Sequence, residues 1–141
     1  MERGFDELRV GDVMSGGVIS CEPSTPLRTV ARLMAGNKVH AVFVLHEDED
    51  EELWGLVSDL DLVAAVGAGV DDRTAGESAI SPLVLVVMDD ELEHAAELMS
   101  EYGISHLAVV DTTRRRPVGV VSTLDIARAI AADRSRESSY R

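Results

Sequence analysis

Gly55-Leu56-Val57-Ser58-Asp59-Leu60-Asp61-Leu62 and Gly119-Val120-Val121-Ser122-Thr123-Leu124-Asp125-Ile126 share one pattern. In each, a glycine leads two apolar residues into a serine, and an aspartate stands three positions after that serine. Chance rarely puts Gly, Val, Ser, Leu and Asp in the same order twice. Working outward, Leu27-x-x-x-Ala31-x-Leu33-Met34 returns as Leu92-x-x-x-Ala96-x-Leu98-Met99. Residues 11–66 and 76–130 repeat one another at an offset of about 65, so the chain is an internal duplication. Copies of about 55 residues are too small to be stable alone and should pack as a pseudo-symmetric pair.

Each copy reads as strand, helix, strand, strand, helix. In the first, Val18–Cys21 is a short β-rich run stopped by Pro23-Ser24-Thr25-Pro26, with Thr25 the expected N-cap and Pro26 the first helical residue. Leu27, Val30, Ala31 and Met34 have the spacing of one buried helical face. Ala41–Leu45 is an unbroken apolar strand, Leu53–Val57 its partner, and Asp59–Val66 a helix ended by Gly67 and Gly69. In the second copy, strand Val84–Met88 leads to Asp89 or Asp90 as cap. The helix that follows carries Leu92, Ala95, Ala96 and Met99 and closes at Gly103. Strands His106–Val110 and Val118–Val121 and helix Thr123–Ala132 complete it. The expected organisation is a first motif over 9–68, a linker over 69–75, a second motif over 76–132 and a polar tail over 133–141.

The chain has 141 residues, 45% hydrophobic and 28% charged, as befits a soluble globular protein. Aromatics make up 4%, so the core must be built from Val, Leu, Ile, Ala and Met. Thirteen basic against 26 acidic residues give a net charge of −13, which repels phosphate backbones and anionic membranes. A nucleic-acid or membrane partner is therefore not expected. The single Cys21 rules out a disulfide within the chain and fits a reducing compartment. The charged N-terminus lacks the apolar core of a signal peptide, and no apolar run approaches the ~20 residues of a membrane span. A cytoplasmic location is expected.

Gly-x-Ser-x-Gly, Walker and Gly-x-Gly-x-x-Gly patterns are all missing. His40, His46, His94 and His106 have neither zinc-ligand spacing nor cysteine partners. No nucleophile and base can be assembled, so no enzyme activity and no metal site are expected. The acidic run Glu47–Glu52 reads as a solvated hairpin loop; a divalent-cation site with His46 is the alternative, but the run lacks the glycine and alternating ligands of a calcium loop. The matching loop of the second copy holds Arg114-Arg115-Arg116. Ser58 and Ser122 open helices directly after strands, where Ser-x-x-Asp is nearly a capping box. The same geometry offers free N–H groups and a dipole end to a phosphate, and a carboxylate able to accept both hydroxyls of a ribose. Both readings stand on the residues alone.

Two copies of β-α-β-β-α, each carrying Gly-h-h-Ser-x-x-Asp-h (h an apolar residue), resemble a tandem pair of CBS domains, the Bateman module. The resemblance covers about residues 9–132. Gly11-Asp12-Val13-Met14-Ser15 is similar to the family's lead-in, with Ser78-Ala79-Ile80-Ser81-Pro82 as a degenerate counterpart. It implies an α/β (α+β) fold of two motifs packed sheet to sheet, and a regulatory, signal-transducing module that binds adenosine-containing ligands between them without catalysis. One cleft would combine Ser122 and Asp125 with Ser15, Gly16, Gly17, Val18, Val39, His40 and Ala41. The other would combine Ser58 and Asp61 with Pro82, Leu83, Val84, Ile104, Ser105 and His106. Phe43 and Ala108 depart from the family, whose members often carry proline there.

AMP is the expected ligand, because high negative charge disfavours polyphosphates; ADP, ATP, S-adenosylmethionine and NAD are the alternatives. The rival reading is a ligand-free structural or protein-interaction module that regulates a partner enzyme or transporter. Helices 62–66 and 126–132 are apolar over more than one face, so a homodimer through them is expected. The Ser122/Asp125 cleft is expected to bind better, with Arg128 on the helical face of Asp125 and Arg114–Arg116 nearby.

Overall fold

The structure is a computed structural model that describes residues 3–46, 53–79, 84–113 and 116–133. In chain order the first copy supplies α1 (Val10–Val13), β1 (Ser15–Gly16), β2 (Ser20–Cys21), α2 (Leu27–Asn37), β3 (Ala41–Leu45), β4 (Leu53–Ser58) and α3 (Asp59–Ala65). The second supplies α4 (Ala75–Ser78), β5 (Leu85–Val87), α5 (Leu92–Tyr102), β6 (His106–Val110), β7 (Pro117–Ser122) and α6 (Thr123–Ala132). One sheet has the order β2-β3-β4 and the other β1-β7-β6-β5. The fold is α+β, with helices flanking two sheets.

The unbroken apolar strands are explained by burial on both faces. Along β3, Val42 and Val44 join Leu27, Val30 and Met34 of α2 in one core. The alternate residues Ala41 and Phe43 turn the other way and meet Leu56 and Ala108 between the sheets. In the second copy Leu107 and Val109 of β6 pack under Leu92, Ala95 and Met99 of α5. Strand period thus sorts each side chain into a helix-facing or sheet-facing layer.

The first strand is shorter than the sequence pattern suggests. Only Ser20 and Cys21 pair with β3, and Gly17, at φ 94°, turns the chain before them. Ahead of that turn, β1 crosses to the other copy and pairs with β7, Ser15 opposite Val120 and Gly16 opposite Gly119. A Cβ on Gly119 would lie 2.6 Å from the Ser15 carbonyl oxygen, so Gly119 admits a backbone rather than a turn.

Helix starts also differ from expectation. Pro26, not Thr25, is the N-cap of α2, and Glu91, not Asp89 or Asp90, is that of α5. The hydroxyl of Thr25 accepts from the Glu22 N–H, and the carboxylate of Asp90 accepts from the Val87 N–H, so both serve the preceding turns. The first helical N–H groups are met by backbone of the segments that lead into the other copy: Leu27 donates to Arg73 O and Leu92 to Leu8 O, each at 3.0 Å. A helix end satisfied in this way needs no capping side chain.

These contacts belong to an exchange. Gly11 in α1 donates to Met88 O of the second copy, while Gly76 in α4 donates to Pro23 O of the first, each at 2.9 Å. Val10 is buried in the second copy's core and Ala75 in the first's. The counterpart of the first lead-in is therefore Ala75–Ser78, not Ser78–Pro82. Beyond α3 a 3-10 turn, Val66–Ala68, carries the chain to Gly69 at φ 94°. Among the described residues no helix is long and apolar enough to cross a membrane.

Candidate ligand site between the copies

Ser58 and Ser122 end β4 and β7 and cap α3 and α6. In each, the serine N–H donates to Oδ2 of the aspartate three residues on, at 2.7 Å for Asp61 and 2.8 Å for Asp125. The serine hydroxyls donate to the same oxygens at 3.0 and 3.1 Å, and the aspartate N–H groups return to the hydroxyls at 3.4 and 3.3 Å. The capping box is thus complete in both copies. Ser58 and Asp125 are buried.

Ser122 and Asp125 face a cleft whose opposite wall comes from the first copy. Ser15, Gly16 and Gly17 form one side of it, and Val39, His40 and Ala41 another. Val18 does not line it; the turn at Gly17 leaves Val18 exposed and brings Ile19 in instead. Phe43 forms part of the floor, a side chain where the family often has proline. Its N–H donates to Ile19 O at 2.9 Å, a bond that proline could not make.

His106 lines this cleft too, whereas the sequence reading assigned it to the other. Its antiparallel partner across β6 and β7 is Ser122, which fixes it beside that serine. Burial holds its imidazole below the ordinary histidine range, and the carboxylates of Asp59, Asp125 and Asp61 pull the other way. Its Nδ1 lies 2.9 Å from Ser105 Oγ. On the opposite wall His40 Nδ1 lies 3.0 Å from Asp59 Oδ2. Asp59, the first residue of α3, thus bonds to a residue of the Ser122 cleft.

Arg128 does not line the cleft. It borders a separate groove with Arg3, Leu8, Val13 and Asp125. Asp125 and Arg128 share a helical flank, but the Asp125 carboxylate folds back onto Ser122 while Arg128 stays exposed toward the N-terminal segment. Lys38, Ile19 and Val120 line the cleft without having been expected there, and Lys38 is the charged one. It ends α2 at φ 55°, the place that Gly103 takes at the end of α5. A lysine where the repeat has a C-cap glycine was the available signal.

Of the residues expected with Ser58 and Asp61, Val84 is half-buried and packs with Ile104 on the second copy's core. Pro82 and Leu83 lie outside the described residues, as do the acidic run 47–52, Arg114, Arg115 and the tail from residue 134. Arg116 is exposed, and its carbonyl accepts from the Asp111 N–H to close the β6–β7 turn. Cys21 is half-buried against the first core, and burial pushes its thiol up. Among the described residues no group of three or more His, Cys, Asp or Glu could hold a metal ion.

Comparison with known proteins bears on what this arrangement belongs to. A protein of Methanopyrus kandleri is 30% identical over 122 residues, covering 84% of this chain. The chain spans 61% of that relative's length, and 22–26% of longer relatives named as sulfurtransferases or acetyltransferases. The solved CBS domain pair of protein MJ0100, in complex with 5′-methylthioadenosine and S-adenosyl-L-methionine, superposes with a TM-score of 0.77 at 26% identity. That match covers 87% of this chain and 95% of the other. CBS domain protein PAE2072 from Pyrobaculum aerophilum, complexed with AMP, gives a TM-score of 0.76 at 29% identity, covering 88% and 95%. The model of the CBS domain matches residues 10–68 and again 77–132. With most of its length in those two matches, the chain belongs to the CBS domain family, as two such domains in tandem.

Proposed function

We propose that this chain is a regulatory module, without catalytic activity of its own, that binds AMP in the cleft between its two domains. The observation that carries the reading is the meeting of Ser122 and Asp125 from one copy with Ser15–Gly17 and Val39–Ala41 from the other. Both capping boxes use Asp Oδ2, and the second carboxylate oxygen of Asp125 is the acceptor for ribose hydroxyls. Val39, Ala41 and Phe43 offer apolar surface to the base. The similar protein PAE2072 is a complex with AMP, which supports an adenine ligand. A net charge of −13 favours a monophosphate over ADP or ATP. S-adenosylmethionine, held by the similar MJ0100 pair, and NAD rank behind AMP.

Occupancy would be passed to a partner protein in the cytoplasm through a homodimer. Val63 and Val66 around α3, and Leu124 and Ile130 on α6, are more than half exposed, an apolar surface that a second copy would cover. The rival is a module whose Ser-x-x-Asp elements serve only as caps, and the completeness of both boxes within the chain favours it. The test is to denature purified protein and identify any released nucleotide by mass and ultraviolet absorbance. A thermal-shift panel of AMP, ADP, ATP, S-adenosylmethionine and NAD then ranks the ligands. Stabilisation by AMP ahead of the others supports the reading; no released nucleotide and no shift with any of them leaves the capping module.

A further inference from the structure

Lys38 and Gly103 occupy equivalent places at the ends of α2 and α5, with φ, ψ of 55°, 44° and 62°, 39°. Each backbone N–H returns to a methionine carbonyl one turn back, Met34 or Met99. Glycine takes up this left-handed conformation freely, whereas a residue with a Cβ is strained in it. Lys38 is the sole non-glycine residue with positive φ among the described residues. The second copy shows that the turn is made without that strain. A strained residue kept at a cleft points to a use for its side chain.

The second observation is electrostatic. Among the described residues Lys38 is the only Lys or Arg lining the Ser122/Asp125 cleft, in a chain of net charge −13. The acidic group of that lining is Asp125, already bonded by the Ser122 N–H and hydroxyl. His40 and His106 share the cleft, and Asp59 borders it through His40. Without Lys38 the described lining would carry no permanent positive charge to meet an anion.

We propose that Lys38 is the anion-selecting residue of this cleft: its ammonium holds the ligand's phosphate, so that the site prefers a phosphorylated nucleoside to a neutral one. This deepens the nucleotide reading above and rests on it. The equivalent helix end of the second copy carries Gly103 and so offers no lysine there.

The test compares dissociation constants for AMP and for adenosine in the wild-type chain and in Lys38→Gly, Lys38→Gln and Lys38→Arg. Loss of the ammonium should narrow the preference for AMP over adenosine roughly three- to tenfold in the Gly and Gln variants, while Arg preserves it. Removing the strain should raise the ligand-free melting temperature of Lys38→Gly by roughly 2–5 °C, with no such gain for Gln or Arg. An AMP preference unchanged in both Gly and Gln overturns the proposal, as does equal binding of AMP and adenosine to the wild type; in either case nucleotide binding itself survives. Failure of the wild type to bind either compound overturns the nucleotide reading and the role of Lys38 with it.

Discussion

Replacing Asp125 by alanine, beside the same change at Asp61, separates a ligand site from a helix cap. The two carboxylates make matching boxes, with serine N–H donors at 2.8 and 2.7 Å and hydroxyls at 3.1 and 3.0 Å. Loss of a cap costs about 0.5–2 kcal/mol, so both variants should melt lower without ligand and by similar amounts. Asp125, 8% exposed, should fall toward the upper end because its loss leaves donors with less access to water. Ligand behaviour should then divide them. AMP at about 100 times its dissociation constant adds about 2.7 kcal/mol, a melting shift on the order of 5–10 °C for a domain of this size. Asp61→Ala should keep most of that shift, and Asp125→Ala should lose it, since Lys38 lines the Asp125 cleft while the equivalent helix end of the second copy carries Gly103. Differential scanning fluorimetry with and without AMP reads both quantities in one experiment. Equal ligand shifts in the two variants, with early melting in both, would refute this reasoning and leave the boxes as caps alone.

Gly119→Ala forces a Cβ against the Ser15 carbonyl and should cost about 1–3 kcal/mol, read as a lower denaturant midpoint; a wild-type midpoint would contradict the close approach. The lowered His106 imidazole stabilises the fold in full above pH about 6.5, its unfolded value, and that contribution is lost as pH falls through the folded value. The melting temperature should therefore drop on acidification below pH about 6.5, and His106→Gln should flatten that limb; an unchanged slope would exclude His106 as its source. Glutamate at both Val63 and Ile130 should halve the sedimenting mass if the helices pair copies, whereas a wild type that already sediments as a monomer defeats the homodimer.

Elements with strong local causes were legible in the sequence. Ala41–Leu45, His106–Val110 and Thr123–Ala132 fall where the pattern puts them, because β3 and β6 are buried on both faces and α6 opens on its own capping box. Repetition exposed the serine–aspartate pairs without an alignment. What escaped depends on distant backbone. The first N–H of α2 is met by Arg73 O and that of α5 by Leu8 O, and a main-chain acceptor leaves no mark in side-chain order. Helical spacing set Arg128 beside Asp125 but did not say which way either group turns. Val18 lost its place to Ile19 because Gly17 swings the chain by a dihedral that composition does not declare.

The reciprocal seating of α1 and α4 bears on how such a chain can be divided. Each half carries a plug, Val10 or Ala75, fitted to a socket in the other half. A cut at the linker would therefore yield two incomplete pieces, each with an open socket and a misplaced plug. Two identical first halves could present their plugs to one another only as an intermolecular swap, at the mercy of dilution. Tethering a second copy turns that encounter into a local one at high effective concentration. Duplication within one chain here acts as a covalent dimerisation whose paired positions need not match, as glycine at the end of one helix and Lys38 at the end of the other illustrate.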